Sequence, residues 1–181
     1  MPVSINGNTG AVTGLAALPD SAMASGSIIQ IVKGGQADLF STTSTSYTDA
    51  TGMSVDITTT GSNKVYLICD YTLSCTAGYV LARLTRTTSG TETVICAGNT
   101  AGSRDLGVHS FYHASSYGGQ YITEKHCAIE LDSPSAGTHT YKLQMRVTEG
   151  TGYLNSNGTN DSSRAVDLRT SSKIIAMEVA A

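Results

Sequence analysis

The sequence predicts an all-β protein, and two patterns carry that prediction. In the tract Leu39–Ile68, Ser, Thr and β-branched residues dominate, and such residues form helices poorly but suit strands. In Met53–Thr58 and His139–Thr148, polar and apolar residues alternate, which places one face of each strand in a core and the other in water. Glycine-containing turns separate such segments. We therefore expect a β-sandwich or barrel with less than about one-tenth helix.

Nine or ten strands are expected between Gly26 and the C-terminus. Turns are expected at Gly34–Gly35, at Gly52, at Gly61 and in a Gly118–Gly119 loop. The extended segments, in order, are Ser27–Lys33, Phe40–Asp49, Met53–Thr58, Lys64–Ser74, Gly78–Thr87, Glu92–Ala97, Leu106–Ala114, Ile122–Asp132, His139–Thr148 and Ser172–Val179. The last of these should be held in a sheet rather than frayed.

The first 25 residues differ from the rest of the chain. Met1–Ser25 is rich in Gly, Ala and Asn and has weak periodicity, apart from one possible helical turn before Pro19. We interpret residues 1–25 as an extended arm and residues 26–181 as the folded domain. Apolar side chains on the arm are candidates for attachment to a partner, and these are Val3, Ile5, Val12, Leu15 and Leu18.

Composition excludes several classes of function. Of 181 residues only 14% are charged, the net charge is −3, and Ser and Thr make up about a quarter. A mildly acidic chain gives no reason to expect nucleic acid as a partner. No apolar run reaches the length of a membrane span, and the N-terminus lacks the features of a signal peptide, so we expect synthesis and folding in the cytoplasm. Low charge also suits a surface that partner chains cover.

Cysteines and histidines are residues of this chain that could ligate a transition metal. The spacing of Cys69, Cys75, Cys96 and Cys127 matches no zinc pattern, and buried thiols are favoured over a disulfide. A site can be imagined from histidines four residues apart on one strand face together with a nearby hairpin, namely His109, His113, Glu124 and His126. Spacing places no third ligand, so ordinary half-exposed histidines are favoured and no metal is predicted.

Five segments in order resemble a known group of proteins. These are Gly26–Val32, Phe40–Gly52, Ser62–Ile68, Asp132–Pro134 with Thr140–Gln144, and Ser172–Glu178. Together they resemble the C-terminal knob domains of tail-fibre and related virion proteins of tailed bacteriophages. The resemblance implies a jelly-roll of the tumour-necrosis-factor or C1q type, assembled as a homotrimer, with no enzymatic activity and no cofactor. Catalytic motifs such as a nucleophile elbow are also missing from the sequence.

Two functions follow from the resemblance. The first is adhesion, in which three jelly-rolls present loops to a host surface glycan or protein. The second is capsid decoration, in which the trimer stabilises the shell. In both, the protein is assembled in the host cytoplasm and located in the virion. About 25 residues precede the knob, too few for a shaft, so the arm would dock on a tail, adaptor or major capsid protein. A polysaccharide-degrading enzyme is a third, unsupported alternative.

The segment His109–Tyr121 is the candidate receptor contact. It combines several aromatic residues with Ser and Gly, a composition typical of recognition loops. Tyr112, Tyr117 and Tyr121 surround the Gly118–Gly119 pair and are the candidate contact residues. The alternative is that these rings pack in the core or at a subunit interface.

Overall fold

The protein was analysed as a computed structural model that describes residues 4–6, 11–13, 23–113, 123–157 and 169–181. Its strands are β1 (Ser4–Asn6), β2 (Ala11–Thr13), β3 (Ile28–Gln36), β4 (Phe40–Thr42), β5 (Thr48–Thr59), β6 (Lys64–Thr88), β7 (Thr91–Ile95), β8 (His109–Tyr112), β9 (Glu124–Asp132), β10 (Gly137–Leu154) and β11 (Ser172–Val179). These residues contain no helix, so the prediction of an all-β chain is confirmed for them.

The strand β6 organises the sheet because it is 25 residues long. Its first half pairs with β11 and β9, and its second half pairs with β10, β8 and β7. Beyond these, β3 pairs with β11, while β5 and β4 pair with β10. All of the pairings are antiparallel, and the nine strands form one curled sheet whose inward side chains meet in a single core.

The core contains the residues that the alternating pattern assigned to it. Every second residue of β6 from Val65 to Leu73 is fully buried, and so is every second residue of β10 from Tyr141 to Val147. Each large apolar side chain removed from water in this way stabilises the fold by roughly 1.5–3 kcal/mol. The last strand has the predicted bounds, and its Ile174 and Ala176 are also fully buried.

The predicted turn at Gly34–Gly35 is wrong, because β3 continues through it to Gln36. At this point β3 passes against β5, and a Cβ atom added to Gly34 would lie 1.9 Å from the carbonyl oxygen of Ser54. Glycine is needed here for a close approach of two backbones and not for a change of direction.

The predicted turn at Gly52 is also wrong, since Gly52 lies inside β5. The register with β10 shifts between Lys142 and Gln144, and Gly52 has a φ of +80°. This glycine therefore belongs to a β-bulge, which bends the strand without ending it. The predicted break between Ser74 and Gly78 is likewise absent from the continuous β6. The turn at Gly61 is confirmed, and the Gly118–Gly119 loop lies outside the described residues.

The arm contains two short strands that the sequence did not predict. β1 and β2 pair with each other in a two-stranded sheet that is separate from the nine-stranded one. Ile5 and Val12 are directly opposite in that pairing.

Candidate functional site

An apolar surface covers the outward side of β9, β6, β11 and β3. Two rows of side chains cross these strands in register, one consisting of Leu131, Tyr66, Met177 and Ile31, and the other of Ile129, Ile68 and Ile175. We call these seven residues the apolar face. Ile31, Ile129 and Leu131 are 60%, 54% and 48% exposed. Adjacent large aliphatic side chains with this exposure are typical of an interaction surface.

Polar residues border the apolar face. Lys125 of β9 forms an ion pair of 2.9 Å with Asp70 of β6, and Lys173 of β11 is opposite Asp70 on the other side. Cys127 lies on β9 between Lys125 and Ile129, where it is exposed although the sequence indicated burial. An apolar centre with a charged border has the composition of a protein–protein interface.

A second outward surface, on β6, β8 and β10, is aromatic and polar. Tyr79 of β6 pairs with Tyr112 of β8, and their ring centroids are 4.6 Å apart. Tyr112 is 54% exposed, so the structure places this candidate contact residue at the surface. Tyr117 and Tyr121, the other two candidates, lie outside the described residues.

Farther along the same outward surface, four side chains form a cleft. Tyr47, Arg83, Asp105 and Arg146 line an open hollow of about 440 Å³ together with Thr45 and Ser46. The guanidinium of Arg83 is 4.2 Å from the centre of the Tyr47 ring, and that of Arg146 is 5.5 Å from it. Arg146 also donates to Asp105 through Nε at 2.7 Å. Burial raises the pKa of Tyr47, so the phenol stays neutral in this setting.

The polar network continues from the cleft along β10. Arg83 donates from Nε to Gln144 at 2.7 Å, and Gln144 donates to Asp49 at 2.7 Å and to Glu92 at 2.9 Å. Lys142 is 2.8 Å from Asp49. Burial opposes ionisation of Asp49, but the hydrogen bonds from Lys142 and Gln144 prevail and lower the pKa of this carboxyl. The network therefore holds these side chains in fixed positions and keeps Asp49 ionised.

A histidine cluster lies between β8 and β9. The Tyr71 hydroxyl is 2.7 Å from Nδ1 of His109, and the rings of His109 and His126 are 4.6 Å apart. Burial lowers the pKa of both imidazoles, and the proximity of His109 lowers that of His126 further, while Glu124 opposes both effects. The two imidazoles pack as neutral rings on Tyr71, so the cluster belongs to the edge of the core.

No metal site is formed by the residues that the structure describes. The imagined ligands are only partly brought together: His109 and His126 are neighbours, and Glu124 is 4.0 Å from Nε2 of His126. Among the described residues, no group of three or more His, Cys, Asp or Glu side chains is arranged to hold an ion. The part of the chain that is described also has no helix that is long and apolar enough to cross a membrane.

Of the candidate attachment residues, Ile5 and Val12 are in β1 and β2, and only their backbone pairing is described. Val3, Leu15 and Leu18 lie outside the described residues. The cleft residues were missed in the sequence because Tyr47, Arg83 and Arg146 are far apart in the chain, and only the pairing of β6 with β10 brings the two arginines together.

No protein-family model matches this chain, and no curated protein matches its sequence significantly. A chain in the structure of infectious bursal disease virus, Gx strain, aligns with a TM-score of 0.40 and 11% identity over 92% of this chain and 42% of its own length. A chain of the Gt strain of that virus aligns with a TM-score of 0.40 and 13% identity over the same shares, 92% and 42%. This chain spans less than half of either, and at these scores the likeness carries no argument about function.

Proposed function

We propose that this chain is a structural protein of a bacteriophage particle, a homotrimeric knob that contributes to attachment to the host. The observation that carries the proposal is the apolar face, together with the five segments that resemble phage knob domains. The proposal includes no enzymatic activity and no cofactor. Its location is the virion, after assembly in the host cytoplasm.

Other copies of the same chain are the best candidates to cover the apolar face. Leaving Ile31, Ile129 and Leu131 in water forgoes about 25 cal/mol for each Å² of apolar surface that a partner would cover. Every copy carries the same face. Four lysines and one aspartate lie at its border, and the long lysine side chains can extend into water while the apolar centre is covered: Lys33, Lys64, Lys125, Lys173 and Asp70. The number three comes from the resemblance to the trimeric knobs.

The aromatic and polar surface would then remain exposed in the trimer and could contact the host. It lies on the outward side of the second half of β6, whereas the apolar face is on the first half. Tyr79 and Tyr112 remain exposed there, and aromatic rings of this kind often anchor binding. Three copies in one assembly would add avidity to a weak single contact.

The mass of the assembly in solution tests the proposed interface. Light scattering coupled to gel filtration should give three times the 18.8 kDa of one chain. Changing Ile129 and Leu131 together to Lys should yield folded monomers, because a lysine pair cannot be buried against a second copy. The control is Thr93→Lys, at an exposed position on β7. A wild-type protein that is monomeric at micromolar concentration would contradict the proposed trimer.

Cys127 gives a second measurement of the same interface. This thiol is exposed in a single chain and adjoins Ile129, so a covering copy should protect it from a maleimide reagent. Wild-type protein should therefore label slowly at Cys127, and the Ile129→Lys, Leu131→Lys variant should label quickly. Equal fast labelling of both would place the interface elsewhere.

The position of the protein in the particle separates adhesion from decoration. Antibody-gold labelling of intact particles at the tail tip would support adhesion. Labelling spread over the shell would instead favour a capsid decoration protein, which is the alternative function for a trimer with a docking arm.

A further inference from the structure

We infer that the cleft formed by Tyr47, Arg83, Asp105 and Arg146 binds a neutral saccharide. This inference deepens the adhesion proposal, and it rests on that proposal for the setting of the ligand, a glycan at a cell surface. The chemistry of the ligand comes from the cleft itself.

Charge in and around the cleft is balanced. The cations and anions are three each and are joined in ion pairs, Arg83 with Glu92, Lys142 with Asp49, and Arg146 with Asp105. A phosphate or another strong anion would have to displace the carboxylates, and a cation would meet the guanidinium groups. A ligand without net charge avoids both costs.

Hydrogen-bonding capacity remains at the centre of the cleft. In the described part of the chain, Arg83 donates through Nε to Gln144 and through Nη2 to Glu92, which leaves the donors on Nη1. Asp105 accepts from Arg146 through Oδ2 only, which leaves Oδ1 as an acceptor. A hydroxyl group both donates and accepts, so neighbouring hydroxyls of a sugar match an array of charged donors and acceptors.

The Arg83 side chain is held in place before any ligand binds. The Arg83 guanidinium is held over the Tyr47 ring at 4.2 Å and by its bond to Gln144, so little side-chain freedom would be lost on binding. The volume of about 440 Å³ is within the range usual for small-molecule sites.

A second hollow extends the cleft toward the exposed tyrosines. It measures about 200 Å³, shares Tyr47 and Asp105 with the cleft, and is also lined by Leu81 and Ser110. The next pair along these strands is Tyr79 with Tyr112. From Arg83 to Tyr79 is about 14 Å at the rise of an antiparallel strand, which is long enough for more than one sugar ring. The apolar edges of a ring can pack on tyrosine while its hydroxyls bond to the polar end.

Saturation-transfer NMR on the native, full-length assembly tests the inference. The probes are cellobiose, maltose, lactose and N,N′-diacetylchitobiose, with sialyllactose as an acidic comparison. Transfer to at least one neutral disaccharide is expected. Asp105→Asn, which keeps the side-chain volume, and Arg83→Met should each weaken binding about tenfold or more, because a charged hydrogen-bonding group is lost. Arg104→Met, at an exposed arginine outside the cleft, should leave binding unchanged.

Each outcome decides the matter. Transfer that disappears in both cleft variants, with native circular dichroism, supports the site. No transfer to any probe, transfer to sialyllactose alone, or transfer that persists in either variant overturns it. Cell attachment is measured separately: attachment without saccharide binding would refute this inference and leave the adhesion proposal standing. Saccharide binding by a protein that does not attach to cells would refute adhesion and leave the site standing.

Discussion

The rings of Tyr79 and Tyr112 face each other across the pairing of β6 with β8, 4.6 Å apart and each about half exposed. Their neighbour Phe111 points the other way and is 6% exposed. Two adjacent residues of β8 therefore have different roles: Phe111 fills the core, and Tyr112 is exposed to solvent.

Changing Tyr112 to Ala should cost little stability and weaken attachment to host cells. Losing an exposed aromatic pair costs about 0.5–1.5 kcal/mol of folding free energy, whereas removing an aromatic anchor from a binding site costs about 2 kcal/mol or more. Urea unfolding and a cell-binding assay measure the two effects. Phe111→Ala is the comparison, and it should cost about 3–5 kcal/mol of stability. Attachment that is unchanged in Tyr112→Ala would remove this surface from the host contact.

The same expectation holds for Tyr117 and Tyr121, which lie outside the described residues. Changing both to Ala should weaken attachment and leave stability within about 0.5 kcal/mol, as for other surface positions. A loss of several kcal/mol would show instead that these rings belong to the core or to a subunit interface.

Replacing Gly34 by Ala should destabilise the fold by about 1–3 kcal/mol or more, because the added methyl group would overlap the Ser54 carbonyl and push β3 away from β5. The measurement is the free energy of unfolding in urea. Gly98→Ala is a matched control: a Cβ there has no neighbour within 4 Å, so that change should be neutral or stabilise by up to about 1 kcal/mol. Equal effects of the two changes would mean that β3 and β5 are not in close contact.

The difference between Gly34 and Gly61 shows how far the sequence could predict this fold. Alternation in β10 and β11 identifies their buried faces because period two is a local property of a strand. A glycine, however, looks the same in sequence whether it lies in a bend between two strands, as Gly61 does, or inside a strand that passes close to another backbone, as Gly34 does. Which applies depends on a strand that is distant in the chain.

The candidate sites show the same difference between features that are local in the sequence and features that depend on strand pairing. Tyr112 could be proposed from a local run of aromatic and small residues. The pairing of Arg83 with Gln144 could not be predicted, because it depends on the register between β6 and β10. A shift of one residue would turn the side chains of one strand to the opposite face. The apolar face could not be predicted for the same reason: Leu131, Tyr66 and Met177 become one row only when three strands are aligned.

Stability should fall as the pH is lowered from about 6.5 to about 5, because of the cluster of His109 and His126. Burial lowers the pKa of both imidazoles in the folded protein, and Glu124 only partly offsets this. The unfolded chain, with ordinary histidines, therefore binds protons more readily, so stability is full above about pH 6.5 and declines below it. His126→Phe would keep a ring on Tyr71 while removing one titrating group, and urea unfolding across pH should give a shallower slope. An unchanged slope in this variant would assign the pH dependence to other groups.

Deleting the arm, residues 1–25, should leave a folded trimer that no longer joins the particle. β1 and β2 pair only with each other, so the nine-stranded sheet loses no strand partner when they are removed. Gly26, which remains, donates its backbone N–H to the carbonyl of Ala180 and ties the new N-terminus to the end of β11. Circular dichroism and light scattering measure fold and assembly, and incorporation is measured on purified particles.

A substitution that keeps the length of the arm separates its role in attachment from any role in the fold. Changing Ile5 and Val12, which are paired between β1 and β2, together to Asn removes two of the candidate attachment side chains. If the arm binds a virion protein through apolar contacts, this variant should lose incorporation as the deletion does, because two large aliphatic groups contribute roughly 1.5–3 kcal/mol each when buried. Normal incorporation of the Asn variant would shift attachment to Val3, Leu15 and Leu18. If the deletion unfolds the domain, the arm is part of the fold and the boundary at residue 26 is wrong.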